Sequence, residues 1–477
     1  MDSQTKRLQL AIIGGGPGGL MTAYLLEQRY RAPVDITLFE ASDRLGGKIV
    51  TRRFNHCDAI YEAGAAELYD YSAIGDDPLR ALVAELGLST HPMNGRGVFL
   101  GDQFLRTEED LSKVGGPEAL AVYRAFTRKA RSLISPQDYY ESDWKEDNGD
   151  PLVRQTLDAL LSGIKNETVR RYIEVAIHSD VATEPAHTSA MYGLQNFLMN
   201  EPGYMTLYGI NGGIERLPRE LARRLGAQVR LNSAVNRVES LADGTYQVGW
   251  RETGREGHTI FNSVVVALPN YWIPSIEWNG PALAKAMRDH HSHYDYPAHY
   301  LRVSVLFREP FWRKMVADSF FMTDAFGGCC VYDETLRCAD SSVGILGWLI
   351  GGEAALALNN LDDEALIARV VDSLPAPLRR GREMFLEGRV HRWAGAVNAM
   401  PGGFPLREPD SRHAPDPAGH PLLFVVGDYL FDSTLNGVLD SAECVAQWIV
   451  EKTAESRPAV ATIPSTTRES QTATRSV

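Results

Sequence analysis

Three glycines near the start of the chain have the spacing Gly-x-Gly-x-x-Gly. Gly14 permits a tight turn, Gly16 lets a phosphate approach the backbone, and Gly19 lets a helix pack closely against a strand. Pro17 and Gly18 fill the positions between them. Backbone N–H groups at the start of such a helix attract phosphate oxygens. The pattern therefore predicts a site for the pyrophosphate of a dinucleotide.

The elements around this turn have the order that such a site requires. An apolar strand over Leu8–Ile13 precedes it, and an amphipathic helix over residues 20–27 follows. A second strand, Val34–Phe39, ends at Glu40, at the distance where a carboxylate meets the ribose of an adenine dinucleotide. The glycine spacing alone is weak evidence. The complete order of strand, turn, helix, strand and acid predicts that the chain binds a dinucleotide.

A second turn follows Glu40 directly: residues 41–48 read Ala-Ser-Asp-Arg-Leu-Gly-Gly-Lys, and residues 61–66 read Tyr-Glu-Ala-Gly-Ala-Ala. Together with the first turn, they resemble the flavin-containing amine oxidase superfamily. The resemblance implies FAD rather than NAD, with glycines that let the backbone pass close to the flavin and an arginine that reaches the pyrophosphate. It assigns to FAD in this part of the chain Glu40, Ala41, Arg44, Gly46, Gly47, Lys48, Gly64, Ala65, Ala66 and Glu67.

The same resemblance returns near the end of the chain. Residues 422–426 are apolar and typical of a buried parallel strand; Gly427, Asp428 and a helix over residues 433–449 follow. The resemblance implies that the acid meets the ribityl or pyrophosphate portion of FAD. It also implies that the helix N-terminus faces the flavin edge where negative charge collects on reduction. The remaining positions that it assigns to FAD are Val235 (beside the adenine), Trp393, Leu435, Asn436 and Val438.

The resemblance spans nearly the whole chain and implies an α/β fold, in which a Rossmann-like FAD-binding domain is interleaved with an α+β substrate domain. A length of 477 residues also exceeds one ordinary hydrophobic core. Helical periodicity predicts helices over residues 117–134 and 150–164. The expected FAD-binding domain comprises residues 1–75, 205–290 and 415–453, the substrate domain residues 76–204 (with a helical insertion) and 291–414, and a disordered tail residues 454–477.

Composition limits the partners. The net charge is −13, which argues against nucleic acid and against an anionic membrane surface. The sequence has no apolar stretch of about 18 residues, so no membrane span is expected. Five cysteines form no metal-spaced set, and their odd number suits a reducing compartment, so we expect no metal and a cytoplasmic protein. A homodimer is left open.

Three positions carry the candidate catalytic groups. Arg302 stands where the family has a lysine that holds a water near the flavin; an arginine can hold water but cannot exchange a proton near neutral pH. Trp393 resembles a tryptophan typical of the family. The two positions of the family's aromatic cage fall on Met400 and Val438, so the sandwich that grips a simple amine is missing.

Glu67 is the third candidate. It stands where related L-amino-acid oxidases carry the arginine that binds the substrate carboxylate. A buried carboxylate must be paired, so Glu67 is expected to meet a cationic substrate or a protein cation, Arg302 or Arg52, and the internal pair is favoured. Histidines at His56, His293 and His299 are candidate general bases.

The leading hypothesis is an FAD-dependent oxidoreductase that oxidises a C–N bond of a specialised amine or amino-acid-derived substrate to an imine. Molecular oxygen would be the acceptor and hydrogen peroxide the product. We expect noncovalent FAD, because no cysteine lies just before Asp428. Two alternatives stay open: dehydrogenation of a C–C bond in a biosynthetic intermediate, and a catalytically inactive flavin-binding partner protein.

Overall fold

The computed structural model describes residues 7–141, 149–199, 201–252, 254–337 and 342–455. Its strands are β1 (Leu8–Ile13), β2 (Val34–Phe39), β3 (Thr51–Arg53), β4 (Ile60–Glu62), β5 (Leu68–Asp70), β6 (Thr90–Met93), β7 (Val98–Leu100), β8 (Gln103–Leu105), β9 (Thr206–Ile210), β10 (Gln228–Arg230), β11 (Ser233–Ser240), β12 (Tyr246–Glu252), β13 (Arg255–Phe261), β14 (Ser263–Val266), β15 (Glu277–Asn279), β16 (Pro297–Phe307), β17 (Phe320–Thr323), β18 (Cys329–Asp333), β19 (Gly344–Gly351), β20 (Phe385–Asn398) and β21 (Leu423–Val425).

Helices lie between these strands and cover their faces. They are α1 (Pro17–Tyr24), α2 (Pro78–Glu85), α3 (Leu111–Gly115), α4 (Ala119–Leu133), α5 (Pro136–Tyr140), α6 (Pro151–Arg154), α7 (Leu157–Leu161), α8 (Glu167–Val181), α9 (Ala190–Leu198), α10 (Arg216–Arg223), α11 (Pro281–His293), α12 (Gly352–Leu358), α13 (Asp363–Asp372), α14 (Pro409–Arg412) and α15 (Leu435–Glu455). Within the described ranges, no helix combines the length and the apolar character needed to cross a membrane.

A five-stranded parallel sheet has the order β10-β2-β1-β14-β21. Its strands come from three parts of the chain that are far apart in sequence. The central strands are buried on both faces, as their continuous apolar sequences require. With helices against this sheet, the fold is α/β, as the sequence predicts.

The first β-strand, helix and second β-strand form the unit expected from the glycine spacing. Both strands have the predicted bounds, Leu8–Ile13 and Val34–Phe39. The helix, predicted over residues 20–27, begins earlier at Pro17, where a missing N–H costs nothing, and closes with a π-turn over Leu25–Arg29. Gly19 packs against the turn so closely that no side chain would fit there.

A seven-stranded sheet, β20-β16-β19-β18-β17-β7-β8, is antiparallel except for the pairing of β17 with β7. Helix α8 packs on this sheet, and helices α4 and α9 pack on α8. The smaller sheets are β13-β12-β11-β15, β5-β9-β6 and β3-β4. Strand β16 forms part of one wall of the cavity described below, through Tyr300 and Arg302.

Two predicted elements differ from the structure. The helix predicted over residues 150–164 is two short helices, because Gln155 is extended and Thr156 caps the second helix. The disorder predicted from residue 454 is wrong for its first two residues, because α15 continues through Glu455. Residues 456–477 of that tail lie outside the described residues.

Replacing Gly19 with alanine should destabilise the fold. The added Cβ would lie 2.0 Å from the carbonyl oxygen of Gly14 and 3.1 Å from Cγ2 of Ile12. Overpacking of this kind costs about 1–3 kcal/mol of unfolding free energy, measurable by chemical denaturation of the cofactor-free protein. Gly16→Ala is the matched control, because its Cβ would meet nothing nearer than Cα of Gly47 at 3.8 Å. Equal stability of the two variants would contradict this packing.

Candidate active site

A cavity of about 770 Å³ runs along the carboxyl ends of β1, β2, β14 and β21 and continues to strands β16, β18 and β20 of the seven-stranded sheet. The carboxyl edge of a parallel sheet is the usual place for a ligand in such folds. The cavity therefore joins a long groove at the parallel sheet to a chamber at the second sheet.

Most of the site residues predicted from the sequence line this cavity. Gly19, Gly46 and Asn436 do not: Gly19 packs under the turn, Gly46 donates its N–H to Gly15 O at 2.8 Å, and Asn436 Nδ2 donates to Asp77 Oδ1 at 3.3 Å. These three residues pack against neighbouring residues and do not line the cavity themselves. The residues that line the cavity are Gly14, Gly16, Pro17, Gly18, Glu40, Ala41, Arg44, Gly47, Lys48, Gly64, Ala65, Ala66, Glu67, Val235, Arg302, Trp393, Gly427, Asp428, Leu435 and Val438.

The glycines of the first turn differ in what surrounds them. Gly14 has φ +112°, and a Cβ there would lie 2.3 Å from the carbonyl oxygen of Ala267. A Cβ at Gly16 would approach nothing nearer than Gly47 Cα at 3.8 Å, so the space beside it is open to the cavity. Gly14 is thus required by the protein itself, whereas the absent side chain of Gly16 leaves a cradle that a phosphate can fill.

Glu40 is held at the end of β2 by hydrogen bonds. Its Oε2 accepts from Gly15 N–H at 2.8 Å, and its Oε1 accepts from the N–H and the hydroxyl of Ser42 at 2.9 and 2.6 Å. A carboxylate has about four lone-pair sites, so this group can still accept a hydrogen bond from a ligand hydroxyl. The carboxylate is therefore oriented and keeps acceptor capacity towards the cavity.

A salt bridge joins the second turn to the residues that follow the last strand of the parallel sheet. Lys48 Nζ lies 2.7 Å from Asp428 Oδ2 and also donates to the carbonyl of Ala396. In the same turn, Arg44 Nη2 donates to Gly47 O at 2.6 Å. Segments almost 400 residues apart in sequence are thus fixed in one wall of the groove.

This groove fits an adenine dinucleotide with a flavin. The open cradle beside Gly16 suits a pyrophosphate, and the oriented Glu40 suits a ribose. The N-terminal residues of α1 and α15, Pro17 and Leu435, both line the cavity, so two helix termini present partial positive charge to it. The residues that would hold FAD are therefore those of the first turn, the second turn and the α15 terminus.

The segment 62–67 is tightly packed between the second turn and β20. A Cβ at Gly64 would lie 1.8 Å from Lys48 O, and Ala65 N–H donates to the same carbonyl at 3.2 Å. Trp393 Nε1 donates to Ala63 O at 2.7 Å from the other side. The tryptophan therefore fixes the position of this segment as well as lining the cavity.

Two arginines and two glutamates form a buried ion network beneath that segment. Arg302 Nη2 donates to Glu334 Oε1 at 2.8 Å and to the carbonyl of Glu62 at 3.2 Å. Arg337 Nε donates to Glu334 Oε2 at 2.5 Å, its Nη1 lies 3.6 Å from Glu62 Oε1, and its Nη2 donates to the carbonyl of Ala66. The network thus holds both ends of the segment through backbone carbonyls.

Glu62 is the most heavily bonded carboxylate of this network. Thr51 Oγ1 donates to its Oε2 and Ile214 N–H to its Oε1, each at 2.8 Å. Burial raises the pKa of Glu62 to about 7, and the attraction of Arg337 opposes the rise. The pKa of Glu62 therefore lies above that of an exposed glutamate, and Arg337 limits the rise.

Arg302 lines the cavity but does not form the ion pair expected for it. Its partner is Glu334, and its Cζ lies 4.8 Å from the ring centroid of Tyr332. No cation of the described residues lies at ion-pair distance from Glu67, so the favoured pairing of Glu67 with Arg302 or Arg52 is wrong. Glu334 belongs to no motif in the sequence. It lies near Arg302 because β18, which precedes it, pairs with β19, and β19 pairs with β16. The Nε and Nη1 groups of Arg302 are buried without a hydrogen-bond partner.

Glu67 lines the cavity as a carboxyl without a protein counter-ion. Burial raises its pKa to about 6, while a hydrogen bond from Tyr332 and the charge of Arg302 oppose the rise. The group is therefore mostly ionised at neutral pH and faces the cavity. Its charge is available to a cationic ligand.

Other predicted groups lie away from the cavity. Met400 does not line it, and the histidine side chains serve elsewhere: His293 packs on Tyr294, and His299 Nδ1 accepts from Gly395 N–H at 3.1 Å. His56 is near the surface, where its N–H donates to Glu387. Among the described residues, the cavity lining contains no histidine. Cavity or network residues that the sequence analysis missed are Asp180, Tyr192, Tyr332, Glu334 and Arg337.

Comparison with known proteins finds matches over most of the chain. The family model of flavin containing amine oxidoreductases matches residues 17–450. Amine oxidase [flavin-containing] A of Canis lupus familiaris is 26% identical over 249 residues, which are 49% of this chain and 45% of that protein. Amine oxidase [flavin-containing] of Oncorhynchus mykiss is 25% identical over 316 residues, 64% of this chain and 58% of that protein. The aligned part thus spans about half the length of these curated relatives.

Solved structures share the fold. A double mutant of putrescine oxidase has a TM-score of 0.70 at 20% identity, and cyclohexylamine oxidase from Brevibacterium oxydans has 0.71 at 18%. Both comparisons cover 94% of this chain and 100% of the other. These likenesses concern the two-domain fold alone. With the family model matching residues 17–450, the chain belongs to the family of flavin-containing amine oxidoreductases.

Proposed function

We propose that the protein is an FAD-dependent oxidoreductase that oxidises a C–N bond of a specialised amine or amino-acid-derived substrate to an imine. Molecular oxygen is the acceptor and hydrogen peroxide the product. The observation that carries this proposal is one continuous cavity, which joins a groove fitted to FAD with a chamber that holds the unpaired carboxyl of Glu67. Family membership supports amine oxidation in general.

The reaction removes two electrons and two protons from the amine. Oxygen takes up the two electrons and the two protons and becomes hydrogen peroxide. Bound FAD supplies the two-electron acceptor. Glu67 attracts the cationic form of the amine and can accept a proton from its nitrogen, because burial places the pKa of this carboxyl at about 6. Trp393 and the second turn keep segment 62–67 in place, so the carboxyl keeps a fixed position.

Arg302 acts by position and charge. A guanidinium does not exchange protons near neutral pH, so Arg302 replaces the family lysine only in holding a water or a polar group of the substrate. Its two unpartnered N–H groups, Nε and Nη1, supply the donors for this. The single fixed charge also stabilises negative charge that develops nearby.

We also propose the division of the chain into an FAD-binding domain of residues 1–75, 205–290 and 415–453 and a substrate domain of residues 76–204 and 291–414. The parallel sheet supports it, because its five strands fall in the first set. The seven-stranded sheet draws its strands from the second set.

A panel of amines tests the reaction. We expect peroxide formation and anaerobic bleaching of the flavin with specialised or cationic amines. For the standard L-amino acids as a group, kcat/KM should be at least about tenfold lower, because the substrate carboxylate would face Glu67. Flavin reduction by an alkyl substrate without imine would instead favour C–C dehydrogenation. Efficient oxidation of one standard L-amino acid, unimproved by Glu67→Arg, would overturn the substrate class.

The cofactor is expected to be FAD bound without a covalent link. Acid precipitation of the yellow protein should release all the colour into the supernatant. Gly16→Val should abolish FAD binding, because its side chain would fill the cradle beside the turn, while far-UV circular dichroism stays unchanged. Colour that stays in the precipitate, or a Gly16→Val variant that retains FAD, would refute the assignment.

Glu67 should impose an acidic limb on the pH profile. Its pKa of about 6 means that the carboxylate is charged above that pH and neutral below it, so kcat/KM for a cationic amine should fall as the pH drops through about 6. Glu67→Gln should lose this limb and also lower kcat/KM at pH 8. Asp58→Asn, which removes a fully exposed carboxylate, is the control. An unchanged limb in Glu67→Gln would assign the titration to another group.

A further inference from the structure

Arg302 is a buried cation on the wall of the cavity. It lies within β16 and is 1% exposed. Its Nη2 group donates to Glu62 O and to Glu334 Oε1, whereas its Nε and Nη1 groups have no hydrogen-bond partner among the described residues. Buried donors are almost always satisfied, and a charged donor costs most when it is not. These two donors therefore call for an acceptor that the described part of the chain does not supply.

The bonds that Nη2 already makes limit the kind of acceptor. A carboxylate binds a guanidinium best through two parallel bonds, either to Nε and Nη2 or to Nη1 and Nη2. Both pairs include Nη2, and the two N–H groups of Nη2 are used by Glu62 and Glu334. Each remaining donor can thus meet only a single oxygen atom, which suits a carbonyl or a hydroxyl group better than a carboxylate.

The charge of the region sets a second, independent limit. Glu334 forms ion pairs with Arg302 and Arg337, and Arg337 forms a further one with Glu62. The two cations and the two acids of the network therefore compensate one another. A ligand carboxylate would add a negative charge to a cavity that already holds the carboxyl of Glu67. An uncharged acceptor meets no such penalty.

Tyr332 links the donors of Arg302 to Glu67. The Cζ atom of Arg302 lies 4.8 Å from the ring centroid of Tyr332, and the side chain of the same tyrosine hydrogen-bonds to Glu67. All three residues line the one cavity. Because a single tyrosine side chain contacts both charged groups, a ligand with an ammonium group beside Glu67 needs only a few more bonds to bring an oxygen atom to Arg302.

We propose that Arg302 binds an uncharged carbonyl oxygen of the substrate, so that the substrate is an amino amide or a related amino carbonyl compound. The amine lies beside Glu67, and the carbonyl oxygen accepts a hydrogen bond from Nε or Nη1 of Arg302. A free amino acid is disfavoured on two grounds, since its carboxylate cannot form the paired bonds and would face Glu67. This assignment names the substrate class of the proposed amine oxidation and rests on it.

The test compares three substrate series of matched chain length on the holoenzyme: ω-amino carboxamides, ω-amino carboxylates and n-alkylamines. We expect the best carboxamide to exceed its alkylamine by about tenfold or more in kcat/KM, as for a hydrogen bond to a charged donor, and the carboxylate of that length to fall below both. Equal turnover of carboxamides and alkylamines would show that water alone satisfies Arg302 and would overturn the proposal. A carboxylate that exceeds its carboxamide would overturn the uncharged acceptor.

Arg302→Lys tests the residue itself. A lysine keeps a positive charge beside Glu334 but lacks the planar group that carries Nε and Nη1. The advantage of the carboxamide over the alkylamine should fall to about twofold or less. Arg308→Lys, at an exposed position just after β16, is the matched control and should keep the full advantage. An Arg302→Lys variant with normal FAD content and an undiminished carboxamide preference would refute the assignment. If this variant does not fold, the wild-type comparison still decides.

A binding measurement separates this proposal from the proposed function. Anaerobic titration calorimetry of the holoenzyme should show the best ω-amino carboxamide bound about tenfold more tightly than its alkylamine, and Arg302→Lys should lose the difference. If no amine reduces the flavin but this difference is found, the oxidation is wrong and the acceptor site stands. If amines are oxidised but carboxamide and alkylamine bind equally, the acceptor site is wrong and the oxidation stands.

Discussion

The buried ion network of Glu62, Glu334, Arg302 and Arg337 is the constraint on which the cavity depends. Two guanidinium groups and two carboxylates share one buried region, and each arginine also binds a backbone carbonyl at one end of segment 62–67. Removing one partner of such a buried pair typically costs about 3–5 kcal/mol, because the other charge stays behind. The network therefore sets the position of this segment and, with it, the direction of the Glu67 side chain.

The network also connects elements that have no sequence proximity. Glu62 ends β4, Arg302 lies within β16, and Glu334 and Arg337 follow β18. The segment they hold touches the second turn through Gly64 and Ala65, and that turn reaches the parallel sheet through the salt bridge between Lys48 and Asp428. Because the contacts form a continuous series, they position the groove at the parallel sheet and the chamber at the seven-stranded sheet relative to each other.

The sequence predicts the parts of this structure that local patterns determine. Leu8–Ile13 and Val34–Phe39 have their predicted bounds because apolar strands between turn residues leave little choice. The family resemblance correctly identified the superfamily and the α/β fold. Asp180 and Glu334 escaped prediction for a physical reason. Neither belongs to a local motif, and only the packing of α8 and the register of β18 with β19 bring them to the cavity. The partner of Arg302 could not be inferred for the same reason.

The parallel sheet takes its outermost strand, β21, from Leu423–Val425, and the groove is completed by Asp428 and the start of α15. On a ribosome, therefore, the first turn emerges long before the wall that faces it. β1 pairs with β2 and β14, and α1 packs on α10, so these contacts involve earlier parts of the chain, whereas the last wall of the groove needs β21 and the start of α15. A chain synthesised only as far as β20 therefore lacks one wall of the groove that would hold FAD.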